Sequence, residues 1–175
     1  MAYLVAFATL LGLTNLVFTL GVVRRLRQHT ETLNTLLAGG GRRDLVPAGS
    51  VVGDFTARAL DGTQVNRDSL AGPALVGFFS PGCHSCAELL PHFLERARDL
   101  PVERVLAVLD GMAPFGVEEY GSRLSPVARV VVDEPDGPVQ RAFGVEGFPA
   151  VFLVGPGSEV LFSGADLAAM PAAAR

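Results

Sequence analysis

The sequence predicts an α/β domain with a central mixed sheet flanked by helices and one membrane-spanning helix ahead of it. Three observations support this. Apolar, strand-like runs alternate with helix-like segments between residues 74 and 143, which is typical of a sheet covered by helices. The only two cysteines, Cys83 and Cys86, lie where a predicted strand meets a predicted helix. Residues 1–23 contain no charged side chain.

The uncharged N-terminal run predicts a single-pass membrane anchor. It is about as long as the ~20 residues that a helix needs to cross the hydrocarbon core, and Arg24 and Arg25 end it. A cleaved signal peptide would need a basic stretch before the apolar run and a small-residue cleavage site after it. The sequence has neither, because no basic residue precedes the run and no Ala-x-Ala follows it. We therefore expect the protein in the cell membrane, anchored in the lipid bilayer.

Residues 24–45 predict a juxtamembrane helix and a linker. Leu26, Leu33 and Leu37 fall near one helical face, and three glycines at 39–41 precede Arg42 and Arg43. The globular domain is expected over residues 46–175. All arginines near the anchor follow it, so the positive-inside rule places this domain in the cytosol.

The globular domain divides into short elements by its turn signals and apolar runs. Asp61-Gly62 predicts the turn of a hairpin, and the continuous apolar run 75–79 predicts a buried strand. Gly155 to Ser158 predicts a second hairpin turn, and Asp166 is a helix N-cap residue. The predicted order is a hairpin at 51–65, a helical turn at 67–72, a strand at 75–79, a helix at 87–100 kinked at Pro91, a strand at 104–109, a helix at 115–124, a strand at 130–132, a helix at 138–143, strands at 150–154 and 159–162, and a helix from 166. Together they predict a largely parallel sheet with the closing hairpin at its edge.

The Cys83-x-x-Cys86 segment predicts a redox-active dithiol. A thiol at a helix N-terminus meets unpaired N–H groups and the positive end of the helix dipole, which favour the reactive thiolate. So short a disulfide loop stabilises a fold little, and a structural zinc site normally needs four ligands. The sequence therefore predicts a redox pair with no metal and no cofactor. His84, between the cysteines, is a candidate for tuning the pKa of the Cys83 thiol, whereas a solvent-exposed ring with little effect is the alternative.

Three segments together resemble a thioredoxin fold of the TlpA/ResA/MauD branch, which includes membrane-anchored thiol–disulfide oxidoreductases. The first is the strand, Cys83-x-x-Cys86 and the helix that contains Pro91. The second is residues 143–153, similar to the thioredoxin segment that ends in a cis-proline and leads into a strand. The third is residues 52–56 with Asp61-Gly62, similar to the start of this branch, while residues 86–91 are similar to the MauD type.

The resemblance implies roles for individual residues. Cys83 would be the exposed nucleophile and Cys86 the buried resolving thiol. A cis bond between Phe148 and Pro149 would lie against the dithiol and expose backbone that pairs with an extended substrate. A protein disulfide or dithiol would be the substrate, and a transmembrane or soluble thiol reductase would supply electrons. The branch places its domain outside the cytosol, opposite to the charge rule.

The sequence also departs from the thioredoxin pattern. Pro81-Gly82 stands where a tryptophan usually precedes the first cysteine, and Ala150 replaces the usual Thr or Ser. The buried acid of many thioredoxins would fall at Gly77. The rates and reduction potential of thioredoxin therefore do not transfer to this chain. For Asp110, Asp133 and Asp136, ordinary turn chemistry is expected; Phe78, Phe79, Phe143 and Phe152 are expected in the core.

Other functions remain open on sequence alone. Ser80-Pro81-Gly82-Cys83 faintly resembles a peroxiredoxin site, although the upstream proline is replaced by Val76. A non-enzymatic metal-binding or haem-pathway assembly module could use Cys83, Cys86 and His84, and a redox-inactive assembly factor is a further alternative. The net charge of −4 argues against a nucleic-acid partner.

Overall fold

The computed structural model of the chain describes residues 1, 7, 11, 14, 45–70, 72–113 and 115–171. The chain divides into two compact units, Met1–Arg42 and Arg43–Arg175. The predicted anchor and linker lie outside the described residues, apart from Met1, Phe7, Leu11, Thr14 and Leu45. Within the described part of the chain, no helix has the length and apolar character needed to span a membrane.

Seven strands form two sheets among the described residues of the second unit. They are β1 (Thr56–Arg58), β2 (Gln64–Asn66), β3 (Ala74–Phe79), β4 (Val105–Asp110), β5 (Arg129–Asp133), β6 (Ala150–Val154) and β7 (Val160–Gly164). Strands β1 and β2 form the predicted antiparallel hairpin. The other five form one sheet in the order β5-β4-β3-β6-β7. Strand β3 pairs in parallel with β4, and β4 with β5, whereas β6 is antiparallel to both of its neighbours.

Three α-helices connect or follow these strands. They are α1 (His84–Ala97), α2 (Val117–Leu124) and α3 (Pro138–Ala142). Four short 3₁₀ helices accompany them, at Arg67–Leu70, Val102–Arg104, Pro156–Ser158 and Leu167–Ala169. The last begins as predicted, with Asp166 accepting a hydrogen bond from the Ala168 N–H at 2.9 Å.

The core lies on both faces of the five-stranded sheet. All six residues of β3 are buried, and the five with a side chain alternate between two clusters because successive side chains of a strand point to opposite faces. On one face, Phe143 packs edge-on against Phe78 and Phe152, with ring centroids 5.3 and 4.9 Å away. On the other, Phe79 meets Phe93 of α1 at 5.1 Å. The four phenylalanines predicted to be core residues are all fully buried, as expected.

Two predicted features differ from the structure. Helix α1 begins at His84 instead of residue 87, which makes Cys83 its N-cap residue. The closing hairpin does not lie wholly at the sheet edge, because β6 pairs with the central strand β3 and only β7 is an edge strand. All five residues of β6 are buried, which is typical of a strand in the interior of a sheet that is covered on both faces.

Candidate active site

The two cysteines occupy the first turn of α1, just beyond the end of β3. Cys83 has extended backbone angles and is half-buried, and its carbonyl accepts a hydrogen bond from the Ala87 N–H at 3.1 Å. Cys86 is 0% exposed. The structure thus places one sulfur-bearing residue at the surface and the other beneath it, at the positive end of a 14-residue helix.

Ser80 contacts both cysteines and a carboxylate. Its carbonyl accepts from the Cys83 N–H at 3.1 Å, and its own N–H donates to the Cys86 Sγ at 3.4 Å. Its hydroxyl donates to Asp110 Oδ2 at 2.8 Å. A second oxygen of Asp110, Oδ1, accepts from the Met112 N–H at 3.0 Å. The backbone around the dithiol is therefore tied to the end of β4.

The contact between Ser80 and Asp110 was not predicted from the sequence, which suggested only turn chemistry for Asp110. The parallel register of β3 and β4 pairs Phe79 with Leu109. The residues that follow, Ser80 and Asp110, therefore lie side by side at the same end of the sheet. Only the strand order and register reveal this proximity, because thirty positions separate the two residues.

The Phe148–Pro149 peptide bond is cis, as the resemblance implied. The antiparallel pairing of Phe78 with Ala150 brings Pro149 to the end of the sheet where Ser80 lies. Phe148 packs against the core clusters on both faces of the sheet, and Cys83 packs against one of them. The predicted substrate-binding segment and the dithiol thus lie at one end of the sheet.

His84 is the first residue of α1 and is largely exposed to solvent. Its Nε2 lies 3.2 Å from Glu88 Oε1, one turn along the helix, and 79% of its side chain is exposed. His92, on the same helix, is also exposed and lies 4.0 Å from Glu95. The Glu88 carboxylate competes with the Cys83 sulfur for any positive charge on His84, so a tuning role for this histidine stays a prediction.

The position of the usual buried acid is closed by aromatic rings. A Cβ at Gly77 would lie 2.5 Å from Phe93 and 2.7 Å from Phe79. Only glycine fits there, so the missing acid reflects the packing of this core. Tyr120 of α2 is a buried titratable group on this side, and burial raises its pKa, with the negative charges of Cys86 and Cys83 adding to the effect.

An exposed aromatic ring lies beside the dithiol segment. Phe115, just before α2, is 68% exposed, and its ring is 3.2 Å from the position of a Cβ at Gly82. Gly82 has φ of +88°, a conformation that favours glycine. Gly82, which immediately precedes Cys83, therefore leaves room for the Phe115 ring, and no sequence pattern predicts this contact.

No protein-family model and no curated protein sequence matches the chain. Solved structures do. One is the thioredoxin domain of a thiol-disulfide oxidoreductase from Bacteroides vulgatus, 21% identical with a TM-score of 0.53, covering 67% of this chain and 88% of that one. A thio-disulfide isomerase from Thermus thermophilus is 21% identical with a TM-score of 0.51, and the coverage is 67% and 85%. A candidate thioredoxin from Neisseria meningitidis is 26% identical with a TM-score of 0.51, and the coverage is 64% and 77%.

The globular unit has a thioredoxin-like fold. This confirms the predicted mixed α/β architecture. Thiol–disulfide oxidoreductases and thioredoxins recur among the similar structures, which supports the prediction that the chain is an oxidoreductase. Within the described residues, no three His, Cys, Asp or Glu side chains are grouped so as to hold a metal ion.

Proposed function

We propose that this protein is a membrane-tethered thiol–disulfide oxidoreductase of the TlpA/ResA/MauD type that reduces protein disulfides. One observation carries the proposal. Cys83 and Cys86 share the N-terminal turn of a helix in a thioredoxin-like fold, with a backbone N–H donated to the buried sulfur. Both the helix dipole and that hydrogen bond favour thiolates, the form of cysteine that attacks disulfides.

The reaction proceeds by two thiol–disulfide exchanges. The Cys83 thiolate attacks one sulfur of the substrate disulfide and forms a mixed disulfide, while the other substrate sulfur leaves as a thiolate and takes a proton. The Cys86 thiolate then attacks the Cys83 sulfur. This forms the Cys83–Cys86 disulfide and releases the remaining substrate sulfur as a thiolate, which is also protonated. Two electrons and two protons pass from the dithiol to the substrate, and a separate thiol reductase restores the dithiol.

The difference in burial between the two cysteines supports this division of roles. Cys83 is partly accessible at the helix N-terminus, so a substrate sulfur can reach it, whereas Cys86 is 0% exposed and reacts with the Cys83 sulfur of the mixed disulfide. Phe148 and Pro149 lie at the same end of the sheet, where the backbone of an extended substrate segment would bind.

We propose that residues 1–23 form the membrane tether. Two observations disagree about the side of the membrane on which the domain lies. The arginines after the anchor favour the cytosol, and the resemblance favours the outer face. A reporter enzyme that is active on one side only, fused to the C-terminus of the full chain, distinguishes them. On the outer face, electrons would have to come from a transmembrane partner, whereas in the cytosol a soluble reductase would suffice.

Insulin reduction tests the proposed activity. The full chain in detergent should accelerate the reduction of insulin by dithiothreitol, because a folded dithiol relays electrons faster than the small thiol alone. The matched variant Cys83→Ser should return the rate to that of dithiothreitol alone. If the wild-type chain is no faster than Cys83→Ser, the proposed activity is wrong.

A further inference from the structure

Ser80 lies outside the dithiol but forms hydrogen bonds with both of its cysteines and with Asp110. The Ser80 N–H is the donor to Cys86 Sγ, and the Ser80 hydroxyl is fixed on Asp110 Oδ2 at 2.8 Å. The same residue accepts the Cys83 N–H through its carbonyl. Ser80 thus connects the Asp110 carboxylate to both cysteines by hydrogen bonds.

Asp110 is itself held in place at the end of β4. One carboxylate oxygen accepts the Ser80 hydroxyl, and the other accepts the Met112 N–H at 3.0 Å, so the carboxylate has a defined orientation. Strand β4 is buried along five of its six residues, which makes it a rigid support. A mobile surface carboxylate could not position Ser80 in this way.

We propose that Asp110 is a positioning residue that acts through the Ser80 hydroxyl to hold the Ser80 backbone N–H on the sulfur of Cys86. The proposal rests on the proposed function for its biological meaning, since the resolving step needs a Cys86 thiolate. A hydrogen bond to the charged form of a group favours that form, so a correctly held N–H increases the thiolate fraction of Cys86. Losing the contact should lower that fraction.

Charge and position predict opposite effects of Asp110. The negative charge of a nearby carboxylate disfavours a thiolate, so deleting the charge alone should increase the thiolate fraction. Deleting a positioning contact should decrease it. Other titratable groups around Cys86 are Tyr120 of α2, whose pKa burial raises, and Cys83 and His84 at the start of α1. These groups are unchanged when Asp110 or Ser80 is replaced.

The test measures the Cys86 thiolate alone. In the full chain carrying Cys83→Ser, Cys86 is the only thiol, and its absorbance near 240 nm against pH gives the thiolate fraction. In this background, Ser80→Ala and Asp110→Ala should each raise the pKa of Cys86 and lower its thiolate fraction at a pH below that pKa by about tenfold, the size of one lost charge-assisted hydrogen bond. Tyr120→Phe serves as a comparison that leaves the Ser80 contact intact.

Conservative variants separate position from charge. Ser80→Thr keeps the hydroxyl, and Asp110→Asn keeps groups that can bond both Ser80 and the Met112 N–H while removing the charge. Both should retain at least the thiolate fraction of the Cys83→Ser background. Ser80→Ala and Asp110→Ala combined should lower the fraction no further than either alone, because they remove one shared contact.

Two results would overturn the proposal. One is an unchanged thiolate fraction in Ser80→Ala, a small substitution that leaves the fold intact even where Asp110→Ala does not. The other is an increase in Asp110→Ala, which would assign Asp110 a purely electrostatic effect. Neither result depends on insulin reduction, so a failure here is distinguishable from a failure of the proposed activity.

Discussion

At the scale of single residues, Cys83 and Cys86 differ in exposure although only two residues lie between them. The N-cap position leaves Cys83 at the surface, and one helical turn carries Cys86 beneath it. This arrangement could be predicted from the spacing and from the strand that precedes it. The Ser80–Asp110 contact could not, because it depends on the register of β3 against β4.

Phe115 provides a prediction about substrate size. Its exposed ring lies against Gly82, directly before Cys83, where it can contact the side chains of a bound polypeptide. We expect Phe115→Ala to slow the reduction of insulin by about tenfold to a hundredfold, since burying an aromatic side chain at an interface contributes about 1.5–3 kcal/mol. The rate at which this variant reduces a small aromatic disulfide should change little, because so small a substrate does not extend from Cys83 over the Phe115 ring.

A matched control for this variant is Leu161→Ala. Leu161 is also exposed, at 42%, and it contacts Gly155 at the end of β6 away from Pro149. Loss of apolar surface area at this position should leave the rates of reduction of both substrates unchanged. If Phe115→Ala slowed the reduction of insulin and of the small disulfide equally, the ring would stabilise the dithiol loop and would not contact the substrate.

Gly77 yields a prediction about stability. A methyl group there would overlap the rings of Phe93 and Phe79, so Gly77→Ala should lower the free energy of unfolding by about 1–3 kcal/mol. Urea denaturation measures this change.

In the control variant Gly121→Ala, the new methyl group meets only the Leu60 Cδ1, at 3.1 Å, and Leu60 is 58% exposed and can move. That control should lose less stability, or gain some from better helix propensity; an equal loss in both variants would contradict the packing argument.

At the scale of secondary structure elements, the start of α1 shows what a sequence pattern leaves undetermined. Ser, Thr, Asp or Asn usually marks a helix N-cap, but here the N-cap is Cys83, and it makes no side-chain capping hydrogen bond. The strong helix-forming sequence begins at Ala87, which explains why the predicted start is three residues late. The interior Pro91 does not end the helix, which continues to Ala97.

The short helix α3 depends on a carboxylate from the preceding strand. Asp133 Oδ2 accepts the N–H groups of Val139 and Gln140 at 3.1 and 2.9 Å, although the pattern suggested only a turn. A Cβ at Gly137 would collide with this carboxylate, so glycine is required there. The conformation of the loop between β5 and α3 brings the Asp133 carboxylate to the start of the helix, and no sequence pattern predicts that conformation.

Burial of Asp133 predicts a specific pH dependence of stability. Burial raises its pKa above the ordinary value of 3.8, and the two backbone hydrogen bonds only partly oppose this. The folded state therefore binds this proton more tightly than the unfolded state, so the contribution of Asp133 to stability is present at low pH and is lost as the pH rises through the folded-state pKa.

Asp133→Asn should remove this dependence while keeping an oxygen that can accept the two N–H groups. We expect the free energy of unfolding of the variant, minus that of the wild type, to increase from about pH 4 towards neutrality. Urea denaturation across this range measures the difference, which isolates Asp133 from the other acids. A difference that falls with pH would mean that the hydrogen bonds outweigh burial.

At the scale of the whole molecule, the sequence predicted the class of the sheet better than its order. Alternating strand and helix patterns indicated a mixed α/β domain, and the structure has one. The insertion of β6 between β3 and β7 was not predicted, because hairpin signals identify strands that pair with each other and do not identify their other neighbours. That insertion brings Phe148–Pro149 to the end of the sheet at which the dithiol lies.

Covalent trapping tests the central claim, that Cys83 attacks a substrate disulfide and Cys86 resolves the product. The full chain carrying Cys86→Ser is incubated with a disulfide-bonded peptide, and its intact mass is measured under non-reducing conditions. A stable adduct of one peptide chain on Cys83 is expected, whereas the wild type should accumulate none and should release reduced peptide. No adduct in Cys86→Ser, or an equally stable one in Cys83→Ser alone, would contradict the account.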